Sequence, residues 1–380
     1  MSSLMRKYMA FAEPVSVLTE ETSNIADEAY GKLIFAHVIF RHGNRTPIVS
    51  YPTDPYRFRS NWTNDWGQLT NIGKHVQLEL GRWLRQRYRS LLSNNYDKAE
   101  IYVQSSESER VLMSALANLA GLYPPLGSAV WEPTIAWQPI PVYQIPRSQD
   151  NLIAATKTCP QFKMELERYL QSEAFQSYNK SLAVIYEYLT KHTQLSFDSF
   201  TSIYDLYNIL DIESTNNKTL PAWSREVFPE PLRTMSANLF RVYSNTTRMA
   251  RLKMGPLLKD ILDRFQQKIN KTLQPDRTIW MYSAHDITIA NLLNGMHMFK
   301  VHNPPFAACL LFELRASSSG VPYVSIYYRD SAAEPEPLYI PRCGKHCPLQ
   351  KLIELYQHLL PNHWDQECLL KVDTFEWPRN

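Results

Sequence analysis

The hydrophobic pattern becomes structured at a continuous apolar run, Leu33-Ile34-Phe35-Ala36-His37-Val38-Ile39-Phe40. Short, β-branched and aromatic, it predicts a buried strand. Thr70 is then placed to cap a helix from Asn71 to about Tyr88, with Ile72, Val76, Leu80 and Leu84 on one face. Ile101-Tyr102-Val103-Gln104 reads as a second strand, running through Ser105-Ser106 into a helix from about Glu109 to Leu122. Strand alternating with helix argues for an α/β fold whose central sheet is parallel-rich and flanked by helices.

Pro124-Pro125 and the segment from Trp131 to Pro146 break this pattern. From about Phe162 to Tyr243 the chain turns helical without a strand-like run: Phe162 to Leu170, Ser177 to Lys191, Phe197 to Leu210 and Pro231 to Ala250. This predicts an inserted α-helical cap over residues 161–245, set into an α/β core of residues 28–160 plus 246–380. Residues 1–27 read as a polar, poorly ordered lead-in. The sheet resumes at Thr278 to Ser283, followed by a helix from Asp286 to about Met296. Cys309 to Leu314 and Tyr323 to Tyr328 read as the last strands, a hairpin around Ser317-Ser318-Ser319-Gly320, and Pro348 to Leu360 as a closing helix.

A length of 380 residues accommodates such a domain with its insertion. The net charge of +3 is interspersed, so neither a nucleic-acid nor a membrane surface is expected. No segment approaches the roughly 20 apolar residues of a membrane span, and no membrane anchor is expected. Met5-Arg6-Lys7 before Tyr8 to Ala12 offers a basic patch and an apolar stretch, but one shorter than the roughly 7–15 residues of a signal core. Sequons at Asn61, Asn179, Asn217, Asn245 and Asn270 still favour the secretory route, as do the cysteines.

The first strand ends in Arg41-His42-Gly43-Asn44-Arg45-Thr46-Pro47. Two guanidiniums form a fork for a tetrahedral anion. A histidine between them has its pKa lowered by the neighbouring charge, which suits a neutral nucleophile better than a third cation. Two other places repeat the order strand, small residues, charged residue, helix: Gln104 through Ser106 into Arg110, and Tyr282 through Ala284 into His285-Asp286. Ligands of open parallel sheets bind beyond the carboxyl ends of the strands. If the three strands are neighbours, Arg41, His42, Arg45, Arg110, His285 and Asp286 meet at one edge. His37, inside the strand, reads as a satisfied structural histidine. Gly67, Leu69, Thr70 and Gly73 read as turn and cap geometry, and Trp62 and Trp66 as either cleft lining or packing.

Arg41 to Pro47 fits Arg-His-Gly-x-Arg-x-Pro, and with it the chain resembles the histidine acid phosphatases. It looks most like their prostatic and lysosomal branch and its insect relatives, from about Gly31 to the C-terminus. Gly67-Gln68-Leu69-Thr70, Arg110-Val111-Leu112-Met113-Ser114-Ala115, Trp137-Gln138-Pro139-Ile140-Pro141-Val142 and Met281-Tyr282-Ser283-Ala284-His285-Asp286 carry the likeness further. One departure is local: that branch usually has Asp where this chain has Asn44, a change able to retune the site's electrostatics.

The resemblance implies that the three strands are neighbours, with the helical cap of this fold, and extends to a homodimer. It implies disulfides Cys159–Cys368 and Cys343–Cys347. It leaves Cys309 free, because the usual partner falls near Ile212. Spacing alone makes Cys343 and Cys347 either a small loop bridge or, with His346, part of a metal site.

Chemically, Arg41, Arg45 and Arg110 would hold the non-bridging oxygens of a phosphate, with His285 as a further donor. His42 would attack phosphorus to give a phosphohistidine. Asp286 would protonate the leaving oxygen and later activate water. With the arginines neutralising charge, no metal or other cofactor is expected. An aspartic acid, its pKa raised beside a bound anion, predicts an acid optimum. The expectation is a secreted or lysosomal acid phosphatase acting on a small-molecule or phosphopeptide monoester. The alternatives are a narrower phytase-like enzyme and a catalytically weak secreted binding protein, the latter motivated by Asn44.

Overall fold

The computed structural model describes residues 30–197, 200–317 and 320–370. The lead-in expected over residues 1–27 and the hairpin tip at Ser318 and Ser319 lie outside the described residues. The opening apolar run forms β1 (Lys32–Arg41), buried from Phe35 onward. Its side chains alternate between faces, as in any strand. Phe35 and Ile39 enter one hydrophobic core, Ala36, Val38 and Phe40 the other.

Seven strands form one sheet: β1, β2 (Ile101–Ser106), β3 (Tyr143–Ile145), β4 (Ile279–Ala284), β5 (Cys309–Ala316), β6 (Pro322–Arg329) and β7 (Cys347–Pro348), in the order β3-β2-β4-β1-β5-β6-β7. β1, β4, β2 and β3 run parallel. β5, β6 and β7 add antiparallel pairs on the other side. Helices α1 (Asn71–Arg87) and α2 (Glu109–Leu122) cover one face. The short β3 falls within the segment read from sequence as irregular. Three half-exposed residues on a sheet edge, bracketed by Pro141 and Pro146, leave no alternation to detect.

Between β3 and β4 come α3 (Pro160–Leu170), α4 (Glu173–Ser181), α5 (Ala183–Thr193), α6 (Phe200–Thr215), α7 (Leu232–Val242), α8 (Thr247–Lys253) and α9 (Gly255–Ile269). The last two pack on the sheet, whereas α5, α6 and α7 share their own apolar cluster with Tyr51 from the loop after the motif. Two helices expected to be continuous are each divided in two. The second divides because Thr246 caps α8, its hydroxyl accepting from the Met249 N–H at 3.1 Å. The chain closes with α10 (Asp286–Gly295), α11 (Leu349–Tyr356) and α12 (Trp364–Glu367).

Both expected disulfides are present, Cys159–Cys368 and Cys343–Cys347, so the second takes up the two thiols that the metal alternative required. Cys309 is free, and burial pushes its thiol up to about 12, leaving it inert. His37 is structural, with the Ile261 backbone as its polar neighbour. It is buried, stacked on Tyr282 and edge-on to Phe35 and Phe265, yet neither ring nitrogen makes a hydrogen bond of normal geometry. Burial and then Arg264 keep it neutral. No helix among the described residues is long and apolar enough to cross a membrane.

Candidate active site

Strand register brings the three junctions level. Arg41 lies beside Ala284 across the β1–β4 pair, and Ser105 beside Ser283 across β2–β4. A further segment joins them. β5 is antiparallel to β1, with Cys309 opposite Phe40, so the loop entering β5 reaches the edge at which β1, β2 and β4 end. Arg41 donates to Pro304 O from this loop at 2.5 Å, and its guanidinium lies 4.2 Å from the Phe306 ring centre.

His42 is held by its own loop. Its Nδ1 lies 2.9 Å from Gly43 O. A carbonyl only accepts, so Nδ1 carries the proton and Nε2 keeps its lone pair. Arg110 Nε donates to that Nε2 at 3.3 Å. Burial first, then Arg41, Arg110, His285 and Arg45, hold the imidazole well below its ordinary pKa. It is therefore neutral even in mild acid.

The loop's path depends on close backbone approach. A Cβ at Gly43 would meet Gly73 O at 2.2 Å, and one at Gly73 would meet Asn44 O at 2.1 Å. Thr70, the N-cap of α1, donates both its N–H and its hydroxyl to the same Asn44 carbonyl. Gly43→Ala is expected to destabilise the fold by about 1–3 kcal/mol and displace His42. Thermal unfolding alongside activity checks this, and a variant unchanged in both would refute the tight packing.

At the β4 end, Asp286 opens α10. Its Oδ1 accepts from the Ile287 N–H at 2.8 Å. Its Oδ2 receives Arg41 at 2.7 Å and the hydroxyl of Tyr204, from α6, at 3.0 Å. Burial pushes the carboxyl up, but Arg41, His285, the Ile287 N–H and Tyr204 together outweigh it. The net effect holds the group below the usual range. In the free site, then, Arg41 on the carboxylate keeps Asp286 ionised. His285 Nε2 lies 2.9 Å from Ser106 Oγ. Burial and then Arg110 bring this imidazole down to about 4, so it too is neutral.

Two donors have no acceptor. Arg41 Nε and Arg45 Nε are buried and unpartnered, on residues only 5% and 4% exposed. Buried donors are normally satisfied, so this pair around a histidine describes a site built to receive oxygen atoms. Burial brings Arg45 down to about 10, so it stays charged in acid and at neutral pH.

A cavity of about 350 Å³ opens over Arg41 and Asp286, lined by Asn44, by Tyr204, Tyr207 and Asp211 of α6, and by Phe306. Arg41, His42, Arg45, Arg110, His285 and Asp286 are therefore one constellation. Neither Trp62 nor Trp66 lines the cavity; Trp62 is buried under Lys218. Sequence reasoning missed Tyr204 and Phe306. Tyr204 is one of 22 tyrosines, in a helix with no motif. Phe306 could have been found by asking which antiparallel strand begins at the edge where the parallel ones end.

The sequence model of the histidine phosphatase superfamily, branch 2, matches residues 32–329. Human prostatic acid phosphatase is 36% identical over 349 residues, covering 89% of this chain and 88% of that protein. Human lysosomal acid phosphatase is 34% identical over 347 residues, covering 89% and 80% respectively. Among solved structures, a Hafnia alvei phytase in complex with tartrate superposes with a TM-score of 0.67 at 20% identity, covering 89% of this chain and 98% of that one. This last likeness is one of fold.

Proposed function

Since this chain belongs to branch 2 of the histidine phosphatase superfamily and is an acid phosphatase, we propose that it hydrolyses phosphate monoesters through a phosphohistidine on His42. The observation that carries this reading is the neutral imidazole whose Nε2 lone pair meets Arg110, with Arg41 and Arg45 close by, each bearing an orphaned Nε–H.

Arg41, Arg45 and Arg110 take the non-bridging oxygens, and His285 adds a neutral donor. As phosphate draws Arg110 onto its oxygens, the His42 lone pair is released for in-line attack. The P–N bond forms as the ester P–O bond breaks, and Asp286 gives its proton to the leaving oxygen. Water then attacks phosphorus, surrendering a proton to Asp286, and His42 leaves. The arginines offset the charge that spreads over the phosphoryl oxygens in both steps.

The wall formed by α6 places Tyr207 and Asp211 in the cavity, with Asp330 on the opposite side. Aromatic surface and carboxylates suit a monoester with a single phosphate, small molecule or phosphopeptide. They suit a polyphosphorylated ring poorly, so the phytase-like alternative loses ground. The Asn44 carbonyl accepts from Thr70 while Asn44 itself lines the cavity, and the presence of the nucleophile, arginines and proton donor around it supports an enzyme over a mere binding protein. Residues 161–245 act as the cap that supplies the leaving-group wall. Two disulfides and the prostatic and lysosomal relatives support a secreted or lysosomal setting.

Because Asp286 is held ionised in the free site, it carries a proton only in acid. Hydrolysis of 4-nitrophenyl phosphate is expected to be highest toward acid pH and to persist in chelator. In the phosphorylation half-reaction, Asp286→Asn should slow alkyl phosphates by about 10²–10⁴-fold and activated aryl phosphates much less, because a good leaving group needs no proton. An alkaline optimum, or activity abolished by chelator, would overturn the proposal.

A further inference from the structure

Resting on that reading, the geometry points to Tyr204 as a positioning residue. It keeps the Asp286 carboxyl aimed at the leaving oxygen when substrate phosphate draws Arg41 away.

In the free site Oδ2 of Asp286 is shared by Arg41 and Tyr204, while Oδ1 is held by the Ile287 N–H. Arg41 cannot serve both partners equally. Its NH1 is fixed on Pro304 O, its NH2 lies on Asp286, and its Nε is unpartnered. A phosphate that satisfies Nε brings negative charge against the NH2 side of the same planar group. Arg41 then turns from carboxylate to phosphate. Asp286 loses its strongest stabilising charge beside a new anion, and takes up a proton from solvent. That proton is the one later delivered to the leaving oxygen.

Tyr204 has no such competing demand. Its hydroxyl comes from α6, on the side opposite Arg41's strand, and its ring packs edge-on against Phe240 at 5.7 Å. It is a phenol, and burial raises its pKa further, so it stays a neutral donor throughout. The inserted helix therefore holds the acid in place during the exchange. The groups facing Asp286 are Arg41 from β1, Arg45 from the motif loop, Arg110 from α2, His285 beside it, Tyr204 from α6 and Tyr328 from β6. Of these only Arg41 is in ion-pair contact in the free site.

The test uses sulfate, an anion that does not titrate near pH 5. Calorimetry in buffers of different ionisation enthalpy counts protons taken up on binding. Wild type is expected to take up close to one proton over part of the acid range, and Asp286→Asn none. In Tyr204→Phe the pH window of uptake should move upward, because one donor to the charged carboxylate is gone. The same variant should lose roughly 10-fold to 100-fold in kcat on an alkyl phosphate, with KM and the 4-nitrophenyl phosphate rate little changed. The double variant Tyr204→Phe/Asp286→Asn should be no slower than Asp286→Asn alone.

Tyr204→Phe matching wild type in its uptake window and alkyl-phosphate kcat would overturn the positioning role while leaving the phosphatase reading intact. Additive losses in the double variant would do the same. Failure of sulfate to bind wild type at all would instead count against the phosphate site itself.

Discussion

His42→Ala is expected to lower kcat/KM for an aryl phosphate on the order of 10⁵-fold, while phosphate still binds. The effect is large because no other group can replace the nucleophile. His285, whose ring centre lies 5.7 Å from that of His42, has its Nε2 directed at Ser106. A water in the place of the imidazole would have to attack a dianion without a base beside it, since Asp286 lies on the leaving-group side of this scheme. Binding should survive because Arg41 and Arg45 are anchored independently of the imidazole, while Arg110, which loses its His42 partner, is freed to turn onto the phosphate. Arg41 is held by Pro304 and Asp286, and Arg45 by Thr46 O at 3.1 Å. Rapid-quench detection of phosphorylated enzyme gives the second readout: acid-labile phosphoenzyme in wild type and none in the variant. A variant that kept a tenth of the wild-type rate would remove His42 from the reaction.

Much of this site could be read from the chain because its parts are local. An apolar run followed by Arg41-His42 identifies a strand end, and Thr70 identifies the cap of α1, without knowledge of anything distant. The step that sequence could not make from residues alone was the adjacency of β1, β4 and β2, since strand order depends on contacts between segments far apart. The same limit explains Phe306, which belongs to the site only because β5 runs antiparallel to β1. It also explains Tyr204, whose partner lies beyond the whole of α7, α8 and α9. The resting charge of Asp286 has a related origin. Which cation sits on it before an anion binds depends on the pairing of β1 with β4, and in the free site Arg41 holds the carboxyl down. His37 is accommodated by ring packing against Tyr282, Phe35 and Phe265 beside the Ile261 backbone, a packing outcome that no residue pattern announces.

The largest expected effect on stability belongs to Glu213, which shares α6 with Tyr204. Its side chain is fully buried, and neither carboxyl oxygen receives a hydrogen bond. The carboxyl of Asp54, from the loop that follows the motif, lies within hydrogen-bonding reach of it. Asp54 already accepts from Ser50 Oγ and the Tyr56 N–H, each at 2.6 Å. The nearby cation, Lys218, donates to Asn61 O and packs over Tyr56 and Trp62. Burial first, then Asp54, push Glu213 up to about 9, so Glu213 holds its proton at neutral pH.

The sign follows directly. Below the unfolded value near 4.3, Glu213 is protonated in both states; between there and about 9 only the folded chain holds the proton. Folding stability is therefore fully present in acid and falls by about 1.4 kcal/mol per pH unit as pH rises, or about 3 kcal/mol between pH 5 and 7.5. Glu213→Gln removes this dependence and supplies amide donors to Asp54. The variant should unfold at nearly the wild-type temperature at pH 4.5 and several degrees higher at pH 7.5. A gap that stays constant across that range would mean Glu213 does not titrate. If the gap opens as expected, the contact between the motif loop and the helix bearing Tyr204 is strongest at the pH where Asp286 carries its proton. Acid then favours both the chemistry and the packing that positions it.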